Sequence, residues 1–315
     1  MKKLLYKLVI FILITVPLCY AFQWIIDTGL KKSNFSPEYK EWNDIVKSKI
    51  NAAILIQGSS RAWVHISPKA LEDSFKIPAY NLGMDGQNFP IQKARYDIYR
   101  KYNKMPAYII QAVDVNFFNN PVVSYDFNQF IPYLNEDFGT ILKEHSFFTY
   151  KDFTFPLYKY SHSPGIATEG FISFFRSGVK DNGKYKGFRS YNSNWNPIML
   201  DTFARNHPNG FNVAVDTGTI TKFEQFIQDC KKEQIKLILV YTPVERNFQN
   251  LLTNRDSIIN IFTRFAEKYP VTYLDYSKNS ICTDTSLFYN PNHLNAKGVD
   301  SFNKLLLNDL KQIIK

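Results

Sequence analysis

The sequence predicts an α/β protein built around a parallel sheet, and three observations predict it. Short continuous apolar runs recur at Ala53–Gln57, Ala107–Val113 and Ile235–Tyr241, without the alternation of a strand that has one face in water. Between them lie stretches such as Ile91–Tyr102 and Thr219–Gln234, whose apolar residues recur at helical spacing. The runs close on turn formers, among them Gly58, Gly83 and Pro243. Strands that alternate with helices pair in parallel, because a parallel neighbour needs a crossover connection long enough to hold a helix.

The first element is not part of that sheet. Met1-Lys2-Lys3 leads into an apolar segment in which Leu8 to Ile26 carries no charge, with Tyr20 and Trp24 near its end. That length suffices to cross a bilayer and exceeds the apolar core of most signal peptides, and no small-x-small cleavage site follows it. Residues 1–30 are therefore expected to be an uncleaved membrane anchor. The short basic start, Lys2, Lys3 and Lys7, favours a cytoplasmic N-terminus, with the chain from about residue 31 outside the cytoplasm.

Residues 31–315 are expected to form one domain. Lys31 to Lys49, with Pro37 and Trp42, reads as a linker running into a helix before the first strand. Pro78–Gly83 is a second short strand, and Ala107–Val113 the third, introduced by Pro106. From about 116 to 215 the alternation stops and Phe, Tyr, Asn and Pro accumulate, so this stretch is an insertion after the third strand: a lid, a substrate platform or a small helical subdomain. The pattern resumes with helix Thr219–Gln234, strand Ile235–Tyr241, helix Asn254–Tyr269, strand Val271–Tyr276 and a final helix Ala296–Ile314.

Composition narrows the function classes. The 315 residues are 45% hydrophobic and 16% aromatic, enough for a large core and against global disorder. The net charge of +10 is spread along the chain without a basic helix or a nucleic-acid motif, so no nucleic-acid partner is expected. Cys19, Cys230 and Cys282 specify neither a disulfide framework nor a thiolate metal site, although a Cys230–Cys282 bridge is open. His65 has no second ligand at metal spacing, and neither metal nor cofactor is implied.

Two motifs carry the chemistry. After the first strand the chain reads Gly58-Ser59-Ser60-Arg61, and before the last helix it reads Asn290-Pro291-Asn292-His293-Leu294-Asn295. A glycine at a strand exit lets a following hydroxyl stand at the sheet edge, and a distant histidine can serve as its base. In these blocks and in their order the chain resembles the SGNH/GDSL hydrolase superfamily, over roughly residues 50–115 and 215–315. The resemblance implies a flavodoxin-like three-layer fold with a central parallel sheet. It also implies Ser60 as nucleophile, His293 as general base, and the backbone N–H groups of Ser60 and Gly83 as oxyanion donors.

Two blocks depart from the family pattern. Where the family has an asparagine donor after the third strand, this chain has Ala112-Val113-Asp114-Val115-Asn116. Asp114 holds the oxyanion position by register but cannot donate when ionised, so Asn116 is the alternative and a structural role for Asp114 stays open. Where the family has an aspartate three residues before the histidine, this chain has Asn290, which can fix the imidazole tautomer but brings no full charge. Asp284 is the nearest upstream carboxylate.

Arg61 is expected to bind a substrate carboxylate, phosphate or sugar hydroxyl, or else to pair near the Asp114 turn. His65 reads as packing or a substrate contact. Tyr185, Phe188, Arg189, Tyr191 and Trp195 resemble a sugar-stacking surface in composition, with core packing the commoner use. The resemblance extends to membrane-anchored branches linked to surface-polymer acylation. It therefore implies an acyl-ester hydrolase or O-acyltransferase acting outside the cytoplasm on surface or capsular polysaccharide, beside a membrane acyltransferase partner. Asn290 and Asp114 motivate the competing expectation of a non-catalytic glycan-binding or scaffolding protein on the same fold.

Overall fold

A computed structural model describes residues 1–119, 126–134, 138, 148–176, 178 and 183–314. The rest of the expected insertion lies outside the described residues.

The chain divides into two compact units, Met1–Lys47 with Val123–Asn182, and Ser48–Val122 with Gly183–Lys315. This differs from the sequence reading, which set a 1–30 anchor against one domain over 31–315. The helix read as the end of a linker, α2 (Tyr39–Val46), belongs to the first unit, where Trp42 is fully buried among Phe130, Tyr133 and Phe138 and donates from Nε1 to Gln129 Oε1 at 3.0 Å. The expected insertion is thus shared: its middle packs with the N-terminal segments and its last part, from Gly183, with the sheet.

In the second unit, β1 (Ile54–Gln57), β2 (Ala79–Asn81), β3 (Tyr108–Val113), β4 (Lys236–Tyr241) and β5 (Thr272–Asp275) form one parallel sheet in the order β2-β1-β3-β4-β5. β1, β2 and β3 are buried throughout, as their unbroken apolar runs require. Helices cover both faces. On one side α3 (Ser60–His65), α4 (Pro68–Phe75) and α12 (Ala296–Leu310) supply Ala62, Leu71, Val299, Phe302 and Leu306 against Ile54, Ile56 and Ile110. On the other, α5 (Phe89–Tyr102), α9 (Thr217–Lys232) and α11 (Arg255–Lys268) bring Phe89, Phe223 and Phe262 around Phe117, with ring centroids 5.0 to 5.5 Å from it.

This order sets the place for chemistry. The connection after β1 leads to β2 on one side and the connection after β3 leads to β4 on the other, so the crevice between the carboxyl ends of β1 and β3 is the topological switch point where open α/β sheets bind ligands. Ser60 follows β1 and Asp114 follows β3. A two-residue strand β7 (His293–Leu294) pairs antiparallel with β6 (Phe288–Asn290), which sets Asn290 opposite His293. The remaining described α-helices are α1 (Lys2–Leu30), α6 (Tyr150–Thr154) and α7 (Pro164–Phe174) in the first unit, and α8 (Ile198–Asn206) and α10 (Arg246–Asn250) in the second.

Candidate active site

The exit from β1 is built to expose one hydroxyl. Gly58 has φ +146°, and a Cβ there would lie 2.8 Å from Ala112 Cβ, Ala112 O and Ala62 Cβ, so only glycine fits between β3 and α3. Ser59 caps α3, accepting from the Arg61 N–H at 3.4 Å, and donates its own proton to Asp114 Oδ2 at 2.6 Å. Ser59 is thereby committed to structure, and Ser60, the first residue of α3, is left facing a polar pocket of about 250 Å³. Ser59, Arg61, Gly86, Gln87, Asn88, Asp114, Asn116, Asn119, Asn292 and His293 complete its lining.

The β6–β7 ribbon brings the base to that hydroxyl. His293 Nε2 is 2.7 Å from Ser60 Oγ, and its Nδ1 is 3.0 Å from Asn290 Oδ1. The tautomer follows from the second bond on that amide oxygen, to which the Asn292 N–H donates at 3.0 Å. A backbone N–H can only donate, so the atom it meets is oxygen; the same oxygen needs a proton on Nδ1, and Nε2 is left with a lone pair toward Ser60. Burial, and then the Arg61 guanidinium, push the His293 pKa down to about 3, so the ring is neutral at pH 7. Asp284 takes no part: it is exposed, and its carboxylate accepts from the N–H and hydroxyl of Ser286.

Two of the expected oxyanion donors are corrected. The Gly83 N–H donates to Asn81 Oδ1 at 2.8 Å and is spent inside the protein, while Asn81 Nδ2 donates to Ala62 O and Ile66 O at 2.8 and 2.9 Å. Gly83 is needed for close approach instead, since a Cβ there would meet the Trp63 nitrogen at 2.4 Å. Asp114 is an acceptor on both oxygens, from Ser59 Oγ and from the Asn116 N–H at 2.8 Å. Its carboxylate therefore closes the turn after β3 and does not donate to an oxyanion. Asn116 lines the pocket, and its Nδ2 has no acceptor among the described residues. The remaining donors toward Ser60 are thus the Ser60 N–H, which has no intrahelical acceptor at the start of α3, and the Asn116 amide.

Arg61 is 5% exposed, with its guanidinium 5.7 Å from the Tyr241 ring centroid. Its Nη1 has no acceptor among the described residues, and it forms no ion pair with Asp114 there. Cys230 and Cys282 are both free thiols, so no bridge links them. Among the described residues no group of three His, Cys, Asp or Glu side chains is placed to hold a metal ion.

Two supporting residues are outside the sequence motifs. His65 is fully buried: its Nε2 accepts from the Leu294 N–H at 3.0 Å, so the proton is on Nδ1 and goes to Thr242 Oγ1 at 2.9 Å. One imidazole thus fastens β7 to α3 and to the end of β4. Tyr289 stacks on His293 with centroids 5.4 Å apart and planes at 9°, and Tyr191 packs against Tyr289 at 5.4 Å and against Trp63 at 6.3 Å. Of the aromatic residues expected as a sugar surface, Tyr191 therefore backs the histidine, while Phe188 and Trp195 pack on the sheet core.

The buried histidines predict an acid-sensitive fold. Burial holds His65 well below its ordinary pKa, with His293 and Arg61 acting in the same direction. Both histidines are lowered in the folded chain, so below about pH 6.5 the unfolded chain binds protons that the folded chain does not, and stability is lost as pH falls. The slope is about 1.4 kcal/mol per pH unit for each histidine. The urea midpoint is expected to drop between pH 7.5 and 5.5, and a midpoint constant over that range would contradict neutral burial.

No family model matches the chain, and no curated protein matches it. Among solved structures, a provisionally assigned acylhydrolase of Bacteroides fragilis aligns over 90% of this chain and 98% of its own at 12% identity and a TM-score of 0.40. A GDSL-like lipase of Bacteroides thetaiotaomicron aligns over 87% and 96% at 10% identity and a TM-score of 0.39. A family two carbohydrate esterase of Clostridium thermocellum aligns over 82% and 63% at 10% identity and a TM-score of 0.36. At these values the site reading rests on the geometry itself. Fold and site define a parallel α/β protein with a hydrogen-bonded serine, histidine and asparagine at its topological switch point.

Proposed function

We propose that the chain is a serine acyl-ester hydrolase or O-acyltransferase of the SGNH/GDSL type, working through an acyl-enzyme. The observation that carries this reading is the 2.7 Å contact between Ser60 Oγ and a neutral His293 Nε2. His293 takes the Ser60 proton as Oγ attacks the ester carbonyl, and the oxyanion develops against the Ser60 N–H and the Asn116 amide. His293 then returns the proton to the departing alkoxide. Water, or a sugar hydroxyl, deacylates the serine by the reverse path.

A saccharide substrate is supported by the pocket's chemistry. Gln87, Asn88, Asn116, Asn119 and Asn292 surround Ser60, and the Asn88, Asn119 and Asn292 amide oxygens have no donor among the described residues. Side-chain amides that both donate and accept match the hydroxyls of a polyol better than they match an apolar chain. Arg61 suits an acidic group on the same substrate. The 29-residue helix α1 (Lys2–Leu30), with a mean hydropathy of 2.2 over its most apolar window, supports a membrane-anchored protein, and the basic start favours a domain outside the cytoplasm. Surface polysaccharide, and a membrane acyltransferase as donor, are the partners this reading takes.

The test is the intact mass of the chain after exposure to a fluorophosphonate probe. One adduct is expected on the native chain and on Ser59→Ala, and none on Ser60→Ala. An unlabelled, folded native chain would remove the nucleophile. That result would favour the second reading, a glycan-binding protein, for which the specific observation is the uncharged Asn290 beside His293.

A further inference from the structure

Within the first unit, a short apolar helix lies along the C-terminal third of the candidate anchor. α7 is 11 residues long, too short to cross a bilayer. Its backbone touches that of α1, since a Cβ on Gly29 would fall 1.7 Å from Gly170 O and one on Gly170 would fall 2.6 Å from Ile26 O. Rings continue the contact, Phe22 on Phe171 at 5.4 Å and Trp24 on Phe174 at 5.7 Å. The preceding turns are tied to the same part of α1 by polar bonds. Tyr20 OH donates to Thr154 O at 3.0 Å, the Leu157 N–H to Gln23 Oε1 at 2.7 Å, and Lys159 Nζ to Asp27 Oδ2 at 2.7 Å.

Beyond these contacts α7 leaves apolar surface uncovered. Phe171, Ile172 and Phe175 are 40%, 44% and 71% exposed, and Phe155 in the turn before it is 51% exposed. Positions 171, 172 and 175 share one helical face, turned away from Gly170 and the buried Ser173. α1 is itself uncovered along its apolar length, with Leu13, Val16 and Leu18 66%, 42% and 63% exposed. Lys151 stands exposed, with its ammonium 5.8 Å from the Tyr158 ring centroid. Exposed aromatic rings with a neighbouring lysine, at the depth where a span ends, suit the boundary between lipid headgroups and acyl chains.

We infer that α7 and the turn around Phe155 are embedded in the lipid leaflet reached by the C-terminal end of α1, so that the first unit holds the membrane by a helix pair and not by a lone span. The inference rests on the reading of α1 as a membrane span. Lipid is the occupant, because the uncovered face belongs to a helix packed backbone to backbone on α1, whose own apolar surface is bare, and because it carries the residue types of a bilayer interface.

The test uses the full chain on a Cys19→Ser background, where Cys230 and Cys282 are buried. An environment-sensitive fluorophore is attached at Phe175→Cys, Ile172→Cys, Leu13→Cys or Asp300→Cys, and each protein is placed in phosphatidylcholine–phosphatidylglycerol vesicles. The labels at 172 and 175 are expected to be quenched by nitroxide lipids, as at 13, and to lose the iodide quenching seen at 300. Lipid quenching at 13 with iodide quenching at 172 and 175 equal to that at 300 would overturn the inference and leave the anchor standing. Labels at 172 and 175 shielded from both quenchers would overturn it in favour of a protein partner. Absence of lipid quenching at 13 would overturn the anchor reading, and the inference with it.

Discussion

Alanine at Ser60, or at His293, is expected to lower turnover of a short chromogenic acyl ester by about 10⁴- to 10⁶-fold, and the double variant no further than either single one. The two side chains are halves of one proton-transfer unit, 2.7 Å apart across 233 positions of chain. Without His293 the hydroxyl keeps its proton; without Ser60 the base has nothing to activate. Losses that multiplied in the double variant would mean that the residues act separately. Retained turnover in Ser60→Ala would move the nucleophile elsewhere. Circular dichroism of each variant checks that the loss is one of chemistry and not of fold.

Asn290→Asp is expected to act in the opposite direction, raising kcat by about 10²- to 10⁴-fold, since the converse change in a serine triad costs about that much. The amide oxygen already accepts from His293 Nδ1 and from the Asn292 N–H, and a carboxylate oxygen keeps both bonds while adding the charge that stabilises an imidazolium. The pH profile separates this effect from a change in packing. In the native chain the acid limb of kcat/KM should lie far below the ordinary histidine range, because burial pushes the His293 pKa down to about 3. In Asn290→Asp that limb should move up toward the ordinary range. A rate and a limb both unmoved would count against His293 as the working base.

The parallel sheet and the serine–histidine pair were legible in the sequence because each is written locally. An unbroken apolar run of four to seven residues can hardly be anything but a buried strand here, and Gly58-Ser59-Ser60 announces its own turn. That Gly83 and Asp114 are not oxyanion donors was not legible, for a physical reason. Register places Gly83 and Asp114 at the carboxyl edge of the sheet, but register cannot say where a proton points, and the Asn81 side chain claims one N–H while Ser59 and Asn116 claim the carboxylate. His65 and Tyr289 escaped because their roles exist only across long separations: His65 meets Leu294 at a distance of 229 residues in sequence. The affiliation of residues 123–182 with the N-terminal segments escaped likewise, since its irregular aromatic composition carries no period that would name a partner.

The ribbon of residues 288–294 has a consequence in time as well as in space. The proposed nucleophile belongs to the first βα turn of the sheet, whereas the proposed base, its amide support and its stacking tyrosine all belong to a segment made more than 220 residues later. On the proposed mechanism, Ser60 is therefore an inert alcohol as the chain emerges from the ribosome. It becomes reactive only when the last strand pair docks and His65 closes on Leu294. On that mechanism reactivity and completion of folding arrive together, and a partly made chain carries no live nucleophile.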